Sequence, residues 1–192
     1  MVKIQPIAEG IVESLAINGE TRQSIMFEID GPVGDSHSGF VRKLSGHDGA
    51  YIATSTRSKG DLFYNFRSWT GLSMEEIEAV EKTLGYKIPV GCLLENIIIS
   101  GIPNFSKLEP TSRLHFPPHR VGKEVKQAIL AVWEENGPCR TVGERLEKEH
   151  KIKNLKTDFI REARGKRGVF GPVLSAGIIQ QGDKVLVFPP VR

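Results

Sequence analysis

A chain of 192 residues, 39% hydrophobic and 26% charged, has room for one well-filled core and the composition of an ordinary globular domain. A formal net charge of +3 is too small to argue for nucleic acid by itself, and no apolar run is long enough to span a membrane. The two cysteines, Cys92 and Cys139, sit in different contexts and give no disulfide framework; with no signal-peptide pattern at Met1–Pro6, the expectation is a cytoplasmic protein with a single domain over residues 1–192.

Residues 2–17 alternate weakly and predict one or two strands with a break near Gly10. Asn18-Gly19 is a hairpin turn signal, with Ser24–Asp30 as the returning strand. The Gly/Pro-rich stretch Gly31–Phe40 reads as a loop. Within it Asp35 and His37 lie two apart between Gly34 and Gly39, glycines that let backbone approach a ligand closely. Asp35 could orient a histidine or bind a cation, and His37 could ligate or transfer protons; the same residues also fit a loop whose Asp caps its own backbone. Residues 41–71 form a long polar excursion with a short strand expected near Tyr51–Thr54. Its Arg57, Arg67 and Trp69 suit either an anionic, planar ligand or packing over the barrel.

Ser73–Gly85 predicts a helix: Ser73 caps it, Glu76 completes a capping box, Gly85 ends it, and Ile77, Val80 and Leu84 form one stripe. Leu93–Gly101 predicts a buried strand, with Cys92 as an inert core thiol among Val90, Leu93 and Leu94. Glu95 and Asn96 interrupt that run and need partners if buried. Pro110–Pro117 is a short predicted strand and residues 119–127 a charged link. His115 and His119 are four apart, but Pro117-Pro118 between them rules out a helical zinc pair.

Ile129–Trp133 is the next predicted strand, broken by Gly137-Pro138. Cys139 follows, beside Arg140, and Thr141 with Glu144 has the pattern of a capping box opening a helix over 141–150. A thiol in such a strand-to-helix turn is favoured as thiolate by the helix dipole and a neighbouring guanidinium; the alternative is a small buried residue in a tight turn. A second helix over about 155–164 leads into a basic turn of Arg164, Lys166, Arg167 and Gly168. Val169–Leu174 is a strand bent at Gly171-Pro172, Gly177 starts a connector, and Gln181–Asp183 turns into the last strand, Lys184–Phe188. Residues 140–167 hold ten Lys/Arg and five Asp/Glu, a basic ligand face or a solvated helical surface. Short strands without regular βαβ alternation predict a mainly β fold, a partly closed β-barrel with a few helices inserted. There is no Walker A motif, no Gly-x-Gly-x-x-Gly after a strand, no paired-cysteine zinc pattern and no nucleophile elbow.

Five segments in order resemble the MOSC domain, which is found at the C-terminus of molybdenum cofactor sulfurases. They are Gly34-Asp-Ser-His-Ser-Gly39, Leu94-Glu-Asn-Ile-Ile-Ile-Ser-Gly-Ile102, Asn136-Gly-Pro-Cys139, Arg167-Gly-Val-Phe170 and Gln181-Gly-Asp-Lys-Val185. The resemblance runs from about residue 10 to the end and implies a small stand-alone, bacterial-type, cytoplasmic member with a barrel-like fold. It implies a cysteine, Cys139, that carries sulfur as a persulfide or ligates molybdenum. It further implies a binding cleft for molybdenum cofactor (molybdopterin) that includes Gly34, Asp35, His37, Gly39, Asn96, Arg140, Arg164, Arg167 and Gly168. The arginines among them suit a pterin phosphate, because guanidinium forks match phosphate oxygens. The fused sulfurases carry a pyridoxal-phosphate domain that is not in this sequence, so a separate pyridoxal-phosphate-dependent cysteine desulfurase is the expected sulfur donor, and a metal centre or enzyme the acceptor. The expected function is a sulfur carrier or molybdenum cofactor-binding protein for metal-sulfur cluster or cofactor sulfuration. The rivals are a molybdenum cofactor-dependent reductase of N-hydroxylated compounds and a nucleic-acid-binding module using residues 140–167. The last lacks interleaved aromatics on that segment.

Overall fold

The architecture starts from one strand with a partner on each edge. In the computed structural model, which describes residues 4–45, 53 and 55–191, β1 (Ala8–Ile17) is a single unbroken strand. Gly10 does not interrupt it. Instead it lets the strand Ile97–Ser100 lie close, since a Cβ there would be 2.3 Å from the Ser100 carbonyl oxygen. Asn18 and Gly19, with φ of 51° and 88°, make the expected tight turn into β2 (Glu20–Arg22). β3 (Ser24–Glu28) then leaves β1 and pairs with β4 (Gly31–Pro32) and β14 (Gly177–Gln180). The expected connector after Gly177 is therefore a strand, held because Gly177 and Ile179 face Phe27 and Ile25 across the ladder.

β5 (Val41–Lys43) and β6 (Leu62–Tyr64) form a separate hairpin. The strand expected near Tyr51–Thr54 lies outside the described residues apart from Ala53. The remaining elements are β7 (Trp69–Ser73), α1 (Met74–Leu84), β8 (Ile97–Ser100), β9 (Arg113–Val121), β10 (Glu124–Ala131), β11 (Glu134–Glu135), α2 (Arg140–His150), α3 (Leu155–Glu162), β12 (Val169–Gly171), β13 (Val173–Ser175) and β15 (Lys184–Phe188). The main sheet runs β11-β12-β7-β8-β1-β15-β9-β10-β13, antiparallel except between β7 and β8. β11 continues β10 and β13 continues β12, so both ends of this order belong to one pair of strands and the sheet curls round on itself. The result is the mainly β, partly closed barrel that the sequence predicts. The curl is tightest at Gly171, where a Cβ would lie 1.7 Å from the Ala131 carbonyl oxygen. There Trp133 N–H donates to Phe170 O at 2.8 Å and Ala131 N–H to Pro172 O at 3.0 Å.

Two apolar clusters hold the molecule. One fills the barrel with Phe27, Trp69, Ile97, Ile99, Phe105, Leu114, Phe116, Val185 and Val187. The other lies between the sheet and the helices: Leu72, Ile77, Val80, Cys92, Leu93, Val142, Leu146 and Phe159. Each such side chain contributes about 1.5–3 kcal/mol on full burial. Among the described residues, no helix is long and apolar enough to cross a membrane.

Several local expectations need correcting. The charged link 119–127 is strand: β9 runs on to Val121 and turns at Gly122 (φ 63°) into β10. Pro117 and Pro118 are tolerated because the ladder shifts register between Gln127 and Ile129, and the Gln127 side chain takes over Phe116 O at 2.8 Å. The strand expected from Leu93 begins only at Ile97, because Leu94 adopts φ 58° and Leu93–Asn96 are irregular. Ser73 and Gly85 cap α1 as expected, but Glu76 does not complete the box. It turns inward to accept from Ser106 N–H at 2.9 Å and Ser106 Oγ–H at 2.7 Å. No box opens α2 either, since its first residue is Arg140 and Glu144 is engaged by that arginine.

Candidate functional site

β11 delivers the chain to Asn136, Gly137-Pro138 ends the strand, and Cys139 (φ −125°, ψ 161°) becomes the N-cap of α2. No side chain caps this helix, and its first turn holds no acidic residue. Its leading amides therefore lack the side-chain acceptor that a Ser or Asp cap would provide. Cys139 is half-buried at the margin of the helical cluster. Arg140, the cation expected to serve it, is 78% exposed along its side chain and ion-paired with Glu144 at 2.7 Å.

A cation in electrostatic reach of Cys139 is Arg167. Two hydrogen bonds fix its turn against the Cys139 segment, Asn136 N–H to Gly168 O at 2.9 Å and Gly165 N–H to the Glu135 carboxylate at 2.9 Å, and Gly168 N–H donates to Ser106 Oγ at 2.6 Å. Arg167 is 4% exposed. Its Nη2 donates to Leu93 O, while Nε and Nη1 meet no partner. Burial pushes this guanidinium below its ordinary pKa, Glu95 and Cys139 oppose that, and the nearby positive charge of Arg67 adds to it. Glu95 is itself buried. One of its oxygens accepts Gly91 N–H, the other has no partner, and burial pushes the carboxyl above its ordinary value.

The Gly31–Phe40 loop is organised by Asp35. Its carboxylate accepts His37 N–H at 2.7 Å and Asn96 Nδ2–H at 2.8 Å, and lies 3.1 Å from His37 Nδ1. Burial alone would raise this carboxyl, but the bonds from His37 and Asn96 outweigh it and hold it below its ordinary pKa. Asp35 thus both orients His37 and caps its own loop. Asn96 is fixed in turn by Thr70 N–H donating to its Oδ1 at 2.9 Å. Asn18 bridges Gly34 O and Ser36 N–H, both at 2.9 Å, and Asn65 Nδ2 donates to His37 O and Gly39 O at 2.7 and 2.9 Å. Beyond Asn65, Phe66 stacks on Trp133 at 4.1 Å, and the Arg67 guanidinium lies 4.0 Å over the Phe170 ring.

Of the predicted residues, Asp35, His37 and Asn96 form one hydrogen-bonded group, and Arg167 and Gly168 lie against the segment that leads to Cys139. Arg140 is turned away, and Arg164 is exposed on the surface. Trp69 is fully buried, with its indole N–H donating to Pro172 O at 3.1 Å, so it packs the barrel rather than facing a ligand. Asn18 was singled out by sequence only for its turn, and Asn65 and Thr70 not at all, although a buried Asn among the aromatics of residues 63–69 is the kind of polar interruption that marks a structural hub. Cys92 is 8% exposed, and burial pushes its thiol up. It packs with Leu93, as expected, but Val90 is exposed. Among the described residues no group of three or more His, Cys, Asp and Glu side chains could hold a metal ion, and His119 pairs with Asp183 at 2.8 Å. Three cations of the basic 140–167 segment are ion-paired: Arg140 with Glu144, Lys156 with Glu144, and Arg161 with Asp158 and Glu162.

A family model described as the MOSC domain matches residues 62–186, more than half of the chain. YuaD of Bacillus subtilis (strain 168), whose name provisionally assigns it to metal-sulfur cluster biosynthesis, is 28% identical over 184 residues, 94% of this chain and 88% of that protein. The crystal structure of Bacillus subtilis YuaD matches with a TM-score of 0.84 at 26% identity, over 95% of this chain and 97% of that one. YiiM of Escherichia coli shares the fold, with a TM-score of 0.56 at 13% identity over 94% of this chain and 71% of that one.

Proposed function

Since the chain belongs to the MOSC domain family, we propose that it is a sulfur carrier for metal-sulfur cluster or cofactor sulfuration, with Cys139 as the acceptor. The observation that carries this reading is a half-buried thiol at an uncapped helix N-terminus, in the field of a buried arginine. Both features suit the approach of an anionic sulfur donor, and the thiolate is the nucleophile in sulfur exchange. In the loading step the Cys139 thiolate attacks the outer sulfur of a donor persulfide. A Cys139 S–S bond forms, the donor's S–S bond breaks, and the donor thiolate leaves with the electron pair. The outer sulfur keeps its oxidation state, so no external oxidant or reductant is needed. In delivery an acceptor nucleophile takes that sulfur and Cys139 leaves as thiolate. A pyridoxal-phosphate-dependent cysteine desulfurase is the proposed donor. The cited name of YuaD supports metal-sulfur chemistry as the destination.

The family is associated with molybdenum cofactor, and the residues present fit such a group. A soft thiol suits the metal, and a buried guanidinium with two unpartnered nitrogens suits a phosphate. Cys139 and Arg167 would hold it, and when bound it would supply oxygen- or sulfur-atom transfer. The carrier steps do not run through it.

Two measurements test the reading. Protein purified from a molybdenum-replete host is assayed for metal and pterin, then offered a desulfurase persulfide. Cofactor-free protein that gains one sulfur at Cys139 supports the carrier, whereas stoichiometric bound cofactor supports the reductase of N-hydroxylated compounds instead. Cys139→Ser should abolish loading and keep the wild-type fold by circular dichroism; a variant that still accepts sulfur rules out the role given to Cys139.

A further inference from the structure

A buried guanidinium ordinarily places all of its N–H groups on acceptors. Arg167 does not: only Nη2 is engaged, by Leu93 O, and Nε and Nη1 have no partner. The buried carboxyl in its field, Glu95, is turned to Gly91 N–H. The positive charge of Arg67 acts on Arg167 in the same sense as its burial. The eleven-residue helix α2 begins at Cys139, in the field of Arg167, with no side-chain cap and no acid in its first turn. Such ends bind anions through their free amides. Two positive features of separate origin, Arg167 and the leading end of α2, therefore bear on one thiol.

We infer that Arg167 and the N-terminal end of α2 form a receptor for the sulfonate end of a small sulfane-sulfur donor of the thiosulfate class, which loads Cys139 directly. This rests on the carrier reading and adds a small-molecule donor to it. The Cys139 thiolate attacks the outer sulfur of thiosulfate, a Cys139 S–S bond forms, and the bond to the sulfonate sulfur breaks. The electron pair leaves on sulfite. The outer sulfur passes to Cys139 without an external oxidant or reductant, and the thiol proton is lost to solvent beforehand. Negative charge gathers on the departing sulfite oxygens, where Nε–H and Nη1–H of Arg167 and the α2 amides receive it. A pterin phosphate shares the tetrahedral-anion chemistry, but it transfers no sulfur to the thiol.

The test uses cofactor-free, fully reduced protein and two donors, thiosulfate and an alkyl hydropersulfide without a sulfonate. The readouts are the mass gain of one sulfur at Cys139 and the sulfite released. Both donors should load the wild type, with thiosulfate giving one sulfite per sulfur gained. Arg167→Lys should slow loading from thiosulfate by at least about tenfold, the scale of losing a hydrogen bond to a charged group, and change hydropersulfide loading little. Because Arg167 is buried, a wild-type measurement stands beside the variant. Anionic iodoacetate should alkylate Cys139 faster relative to neutral iodoacetamide than it does free cysteine, and sulfate should reduce that preference. Loading from the hydropersulfide but not from thiosulfate overturns this inference and leaves the carrier standing. Loading from neither overturns the carrier as well. An iodoacetate preference no greater than that of free cysteine also overturns the inference.

Discussion

Gly168→Ala tests whether the Arg167 turn is seated by backbone contact with β7. Gly168 has φ 73°, and a Cβ there would lie 1.8 Å from Gly71 O and 2.9 Å from Leu72 Cδ2. The left-handed backbone costs alanine about 1–2 kcal/mol. Forcing the turn off the strand adds about 1–3 kcal/mol of overpacking, and strains the bonds to Ser106 Oγ and from Asn136 N–H, worth roughly 1 kcal/mol each. Separation relieves the collision by giving up those bonds, so the terms do not fully add, and a loss of about 3–5 kcal/mol is expected. Gly165→Ala is the internal control. It shares the backbone conformation, φ 70°, but its Cβ would meet only Lys107 Nζ at 3.9 Å, so it should lose about 1–2 kcal/mol. Urea unfolding at equilibrium reads both; with an m of about 2 kcal/mol/M, Gly168→Ala should lower the midpoint by roughly 2 M at unchanged slope. A Gly168→Ala variant no less stable than Gly165→Ala would refute the account of how this turn is held.

Two further outcomes follow from the site's electrostatics and burial. The Asp35 carboxyl is held below its ordinary value, so its contribution to stability is complete above the unfolded pKa of about 3.9 and is lost as pH falls through the lower folded one. Asp35→Asn should be less stable than wild type at neutral pH, with the difference shrinking below about pH 4, and unfolding midpoints that stay parallel down to acid would contradict this. A neutral thiol reagent on the folded protein should label half-buried Cys139 before buried Cys92, whose thiol is pushed up by burial; mass spectrometry showing Cys92 modified first would reverse the assignment.

Where local chemistry was sufficient, the sequence was legible. Ser73 and Gly85 mark α1 because capping is a short-range effect, and Asn18-Gly19 marks its turn because few residue pairs take that conformation. The reading failed where a distant segment decides. Residues 119–127 are polar because both faces of that hairpin end are largely wet, not because the chain is irregular there. Gly10 and Gly177 read as breaks, but Ser100 and Ala128 lie against them and require the small residue. At the site, Asp35, His37 and Cys139 announce themselves by residue type and loop context. Arg167 does not stand out from Arg140 or Arg164 in a basic stretch; only its burial beneath Leu93 O separates it from two surface arginines.

β1 lies in the middle of the main sheet and is completed on one edge by β15, with Ala8 opposite Val187. β1 therefore waits for β15, far behind it in sequence. Until residues 184–188 emerge, the edge of β1 that they cover is open, and β9 lacks its link back to β1. Contacts this remote in sequence carry a large loop-closure cost, and proteins built on them fold slowly. Biosynthesis of this chain is thus split in time. Hairpins such as β9–β10 can form as soon as they emerge, while barrel closure, and with it the mature setting of Cys139, waits for β15.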